Sequence, residues 1–191
     1  MFGNLFKKKA PGLDQQLRDL ESCGVRLLPE ASPAALLREW SQADFEKSPY
    51  LMVAISLGGG EAPLSENLWH FDTECIEDHG AYLSIAERFR DLAGGDLPLL
   101  EIEDYVDIEA GEAWLAFKLD GASYRWECKV DDDWVDPTVL ARFAELLAKK
   151  NSKKRFTYLD TGGQDCVIGC FSEEERSRLR KVTGLDWKLL T

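Results

Sequence analysis

Apolar residues recur every three to four positions in some stretches and every second position in others, and this change of period divides the chain into elements. Leu13, Leu17 and Leu20 share one helical face after Pro11, a residue suited to a first turn, and the helix they predict ends at Gly24. Ser32 followed by Pro33 predicts a second short helix, with Leu36, Leu37 and Trp40 in its apolar stripe. From Tyr50 to Leu57 the residues are apolar and partly β-branched, and Gly58, Gly59 and Gly60 then break the run. That pattern predicts a buried strand followed by a mobile loop. Asn67 to Glu74 alternates, with Trp69 and Phe71 on one side and His70, Asp72 and Glu74 on the other, as a half-buried strand does.

Asp78 is placed to cap a helix in which Tyr82, Ile85, Ala86, Phe89 and Leu92 recur at helical spacing until Gly94 and Gly95 end it. Leu99 to Ile108, Ala113 to Leu119 and Ala122 to Val130 read as three strands, the last two joined by Asp120-Gly121, a type I′ hairpin signal. Asp136-Pro137 opens a helix running to about Lys150, and Arg155 to Leu159 and Cys166 to Phe171 flank a turn at Gly162-Gly163. Ser172 with Glu175 spells a capping box for a further helix, and Leu185 to Leu189 a last short strand. The sum is an α+β fold, a mostly antiparallel sheet containing a meander with helices packed on one face, and two short helices at the N-terminus. Residues 1–10 read as a flexible basic tail and residues 11–191 as a single domain; a chain of 191 residues with 45% apolar content has enough to bury one core.

Charge sharpens this picture. Residues 61–136 hold 21 Asp and Glu against 5 Lys and Arg, so a local excess of 16 negative charges sits on the predicted meander and the elements before it, within a chain of net charge −12. A field of that sign repels nucleic-acid phosphates and anionic lipid and draws a basic partner inward. Five cysteines without CxxC spacing lie in otherwise ordinary core segments, which favours a reducing, cytoplasmic setting. Met1 to Lys9 has its lysines after a short apolar stretch, unlike a secretory signal, and no segment reaches the roughly 20 apolar residues that span a bilayer.

The candidate chemistry is weighed residue by residue. His70, Asp72 and Glu74 share a strand face and His79 follows, so a metal-dependent or carboxylate-based hydrolase is one alternative, against a solvated polar face that needs no metal. Asp131, Asp132 and Asp133 beside Trp134 lack the Asp-x-Asp-x-Asp-Gly register that aims oxygens at one cation, and read as turn residues or as contacts for a basic partner. Cys166 and Cys170 lie on one strand face and suit core packing better than nucleophilic catalysis. The glycine loops lack a phosphate-cradling register, and Lys149, Lys150, Lys153, Lys154 and Arg155 suit a helix C-terminus. No cofactor is expected.

Asp133-Trp134-Val135-Asp136-Pro137 with its following helix, and Arg155 to Gln164 with Thr161-Gly162-Gly163-Gln164-Asp165, together resemble the C-terminal half of immunity-type proteins encoded beside bacterial polymorphic or secreted toxins. The resemblance covers roughly residues 100–190 and carries over no functional residue. It implies a cytoplasmic acidic binder that occludes a toxin. With the charge pattern, it gives the expectation of a non-enzymatic protein that inhibits or sequesters a basic protein partner. Trp134, Trp69 and Tyr105 are the expected anchors, and Asp104, Asp107, Asp131, Asp132 and Asp133 the charged contacts. A self-associating scaffold subunit is the other alternative.

Overall fold

The computed structural model describes residues 10–60 and 63–191, so all of the expected basic tail but Ala10 lies outside the described residues. Seven helices and seven strands are described: α1 (Leu13–Ser22), α2 (Pro33–Leu36), α3 (Gln42–Lys47), α4 (Leu51–Gly58), β1 (Leu68–Asp72), α5 (Ala81–Ala93), β2 (Leu100–Asp107), β3 (Glu112–Leu119), β4 (Ala122–Cys128), α6 (Pro137–Lys149), β5 (Lys154–Asp160), β6 (Asp165–Ser172), α7 (Glu173–Thr183) and β7 (Lys188–Leu189). The class is α+β. The strands form two sheets, a four-stranded one in the order β1-β6-β5-β7 and the three-stranded meander β2-β3-β4, and every pairing is antiparallel.

The run Tyr50 to Leu57 is helix α4 and not a strand. Tyr50 N–H bonds the Gln16 side chain, and the backbone bonds Met52 N–H to Ser48 O and Ala54 N–H to Tyr50 O open a helix. A short run apolar on every side has no period to distinguish the two, and this one is buried against β1 and β6. Gly58 closes it where no side chain fits: a Cβ there would lie 2.6 Å from His70 N and 2.9 Å from Trp69 C. α3 also goes beyond the two N-terminal helices expected; its capping box, Ser41 with Asp44, is spelled in the sequence.

Burial differs between the sheets. β6 carries five consecutive buried residues, Val167 to Phe171, because both of its faces are covered. Val167 and Phe171 join Leu20, Val53, Leu57, Leu179 and Trp187 in a cluster with α1, α4 and α7, while Ile168 and Cys170 join a larger cluster with α5 and α6 on the other face. In that larger cluster Phe89 stacks on Phe143 with ring centroids 4.8 Å apart and meets Phe156 edge-on at 4.8 Å. Helices on one face describe the meander only: β3 buries Ala113, Leu115, Phe117 and Leu119 toward α5 and α6 and leaves the alternate residues outward. Its hairpin has the I′ signature, with φ 52° at Asp120 and 80° at Gly121. On the edge strand β2 the register shifts between Leu100 and Glu103, with Glu101 at φ 47°, which is a bulge.

Candidate partner-binding surface

The meander's outward face follows from parity. Pairing places Tyr105 opposite Trp114, Trp114 opposite Glu127, Glu103 opposite Ala116 and Ala116 opposite Arg125, so these side chains stand on one side, away from the buried set. Flat groups form a row across it. His79 lies 4.8 Å from the Tyr105 ring, Tyr105 stacks on Trp114 at 6.2 Å with 12° between planes, and the Arg125 guanidinium sits 4.0 Å over the Trp114 ring. Around the row stand Glu103, Asp107, Glu112 and Glu127, answered by Arg125 on Glu127 at 3.0 Å and Lys118 on Glu101 at 2.5 Å. Leu100 at the edge is 63% exposed. The face offers stacked ring area rimmed by carboxylates.

The expected contacts divide once placed. Tyr105 belongs to the row, and Asp107 shares its side of β2 while its Oδ1 accepts the Ala110 N–H in the turn. Asp104, adjacent to Tyr105, has the opposite parity and points inward: its carboxylate accepts the N–H of Gly80 at 2.8 Å and of Leu83 at 3.1 Å at the start of α5. It supplies the cap that the sequence suggested for Asp78, whose own Oδ1 accepts the neighbouring His79 N–H instead, and Gly80 is the residue at the N-cap. Trp69 is half-buried, its ring 4.4 Å from Phe71 and 6.0 Å from Phe89 with the Arg88 guanidinium 5.7 Å over it, so it packs within the protein and offers no free anchor. Asp131 pairs with Lys129, Asp132 is exposed at φ 55°, and the Asp133 carbonyl accepts the N–H of Cys75 and Ile76. Trp134, 39% exposed, stands at a separate place, the mouth of a cavity over β5 and β6.

The hydrolase alternative meets a different arrangement. The four residues proposed for metal do not converge: His79 Nδ1 accepts the Val106 N–H at 3.1 Å, His70 Nε2 lies 2.5 Å from Asp165 Oδ2, and Asp72 and Glu74 both accept from the Gln164 amide. Among the described residues no group of three His, Cys, Asp or Glu is placed to hold a metal ion. Two competing influences act on Asp165: burial pushes its carboxyl up, and the bonds from His70 and Thr161 more than offset this, leaving it below the usual range. His70, Ser56, Gly59 and Trp40 line a cavity of about 430 Å³, but the Ser56 hydroxyl donates to Met52 O at 2.8 Å. Burial pushes the thiols of Cys128, Cys166 and Cys170 up to about 12 and that of Cys75 to about 11, so they stay protonated at neutral pH and are poor nucleophiles.

Glu112 and Trp114 were legible as outward from the alternation of Ala113, Leu115, Phe117 and Leu119, whereas Glu103, Arg125 and Glu127 join them only through the register of β2 and β4 on β3. No family model matches the chain, and no curated protein or solved structure matches it. No described helix is long and apolar enough to cross a membrane.

Proposed function

We propose that the chain is an acidic binding protein that inhibits or sequesters a basic protein partner, most concretely as the immunity protein of a cognate bacterial toxin. One observation supports this above the rest: among the described residues no helix covers the meander's outward face, and that face carries a stacked aromatic row inside a ring of carboxylates. Carboxylates steer a cationic partner and raise its association rate, while desolvated ring area supplies tightness. The Arg125 and His79 that sandwich the row hold the rings in one arrangement before binding, which lowers the entropy lost on contact.

Capture from source lysate tests the reading by comparing the native chain with a variant carrying Glu103→Gln, Glu112→Gln and Glu127→Gln. The expected outcome is one basic protein, encoded beside the chain's own reading frame, held by the native chain and lost from the variant at low salt. Equal retention by both removes this face from the proposal. A hydrolytic reading stands second on the His70–Asp165 pair and its cavity. Turnover of an activated ester that disappears in His70→Gln would promote it.

A further inference from the structure

We propose that the cavity beside Trp134 receives a basic side chain, lysine or arginine, with the alkyl stem against its walls and the charged head at its rim. The inference rests on the basic-partner reading above and locates a second point of contact for the same partner. The cavity measures about 570 Å³. That is within the range of roughly 300–1,000 Å³ over which clefts hold small ligands.

Walls and rim call for different chemistry. Leu140, Ile168 and Leu190 give apolar walls, and Trp134 and Tyr158 add ring area. The register of β5 on β6 sets Tyr158 beside Ile168 and Asp160 beside Cys166, so ring and carboxylate project from the sheet on the same side, one behind the other. Asp160 Oδ1 accepts the Gly162 N–H at 2.8 Å, and among the described residues no group donates to Oδ2. Among the described residues lining the cavity no Lys or Arg occurs, and Trp134 follows directly on Asp131, Asp132 and Asp133. An anionic ligand meets the Asp160 and Asp165 carboxylates with Lys188 alone near the Tyr158 ring to answer it, and a neutral apolar one fills the walls without answering Asp160. A long basic side chain satisfies both, because its methylenes bury while its head stays at the surface.

The rings already take part in such a contact. Lys188, paired with Tyr158 across β7 and β5, holds its Nζ 5.7 Å from the Tyr158 ring centroid. A cation is thus accommodated at this ring from within the chain, and an incoming one competes with it.

The test uses the full chain and three small probes of similar chain length, butylguanidinium, butanol and butyrate, followed by the Trp134 indole N–H signal in NMR titrations. Butylguanidinium is expected to bind saturably and at least about threefold more tightly than butanol, with butyrate weakest. Asp160→Asn keeps the acceptor for Gly162, so the fold is retained, and it should weaken butylguanidinium about threefold to tenfold while leaving butanol unchanged. Lys188→Met should tighten butylguanidinium by removing the resident cation. Butanol binding as well as butylguanidinium, indifference to Asp160→Asn, or no saturable shift from any probe would each overturn the inference. These readouts need no partner, so they fail separately from the lysate comparison. Loss of capture on changing Glu103, Glu112 and Glu127 with no probe binding would leave the partner reading standing without this pocket.

Discussion

The two sheets have the same antiparallel pairing and opposite fates. In the four-stranded sheet the Val167–Phe171 run of β6 is covered on both faces and is continuously apolar, whereas the meander is covered on one face and keeps strict alternation in β3. A sheet buried twice can carry almost nothing but packing, since any polar group in it must find a partner inside the protein. A sheet buried once has half its side chains free for another task. The difference teaches where to seek function in this chain: on the alternate residues of the strand whose partners are most regularly apolar.

Breaking the doubly covered side should cost the most. Phe89→Ala removes a ring that meets Phe143, Phe156 and Trp69, and unfolding in urea should show a loss of about 3–5 kcal/mol. Gly58→Ala forces a methyl to within 2.6 Å of the His70 backbone nitrogen, and a loss of about 1–3 kcal/mol is expected as α4 moves off β1. A smaller effect is expected where the two sides are tied together, at Asp136, which accepts the Lys129 and Thr138 N–H groups at 2.9 Å each. Its burial alone would raise its pKa, but the hydrogen bonds from Lys129 and Thr138 prevail and hold it below the ordinary carboxylate value. Because the folded state has the lower pKa, Asp136 stabilises the protein fully above the unfolded value of about 4, and the contribution is lost as pH falls through the folded value. Asp136→Ala should therefore cost about 1–2 kcal/mol at pH 7, and that difference should shrink progressively in melts taken below about pH 4.

The singly covered side should give the opposite result. Glu103→Gln, Glu112→Gln and Glu127→Gln together should leave stability within about 0.5 kcal/mol while slowing association with the partner in a salt-dependent way. Stability falling by several kcal/mol would mean that this face is structural after all. Asp131→Asn with Asp132→Asn should slow association least, since Asp131 is already matched by Lys129.

Much of this was legible in the chain, and the failures share a cause. The meander, its Asp120-Gly121 turn, the Asp136-Pro137 start of α6 and the Ser172–Glu175 box of α7 are each specified by local chemistry, and each stands where the sequence places it. Tyr50 to Leu57 misled because a run with no polar face carries no period. Trp69 and Asp104 misled because their contacts, Phe89 for one and the Gly80 and Leu83 amides for the other, come from distant positions in the chain. Parity alone would have separated Asp104 from Tyr105. The division of strands between two sheets depends on pairing at long range, β1 with β6 above all, and composition does not encode it.

The bulge at Glu101 bears on how this protein behaves in a crowded solution. An edge strand presents unpaired amides and carbonyls that can template a strand from another molecule, and such growth requires an unbroken hydrogen-bonding row. With its register shifted between Leu100 and Glu103 and an acidic residue at the kink, β2 interrupts that row at the end where exposed Leu100 would otherwise invite it. The meander, whose outward face no described helix covers, is in this way discouraged from pairing edge to edge with copies of itself.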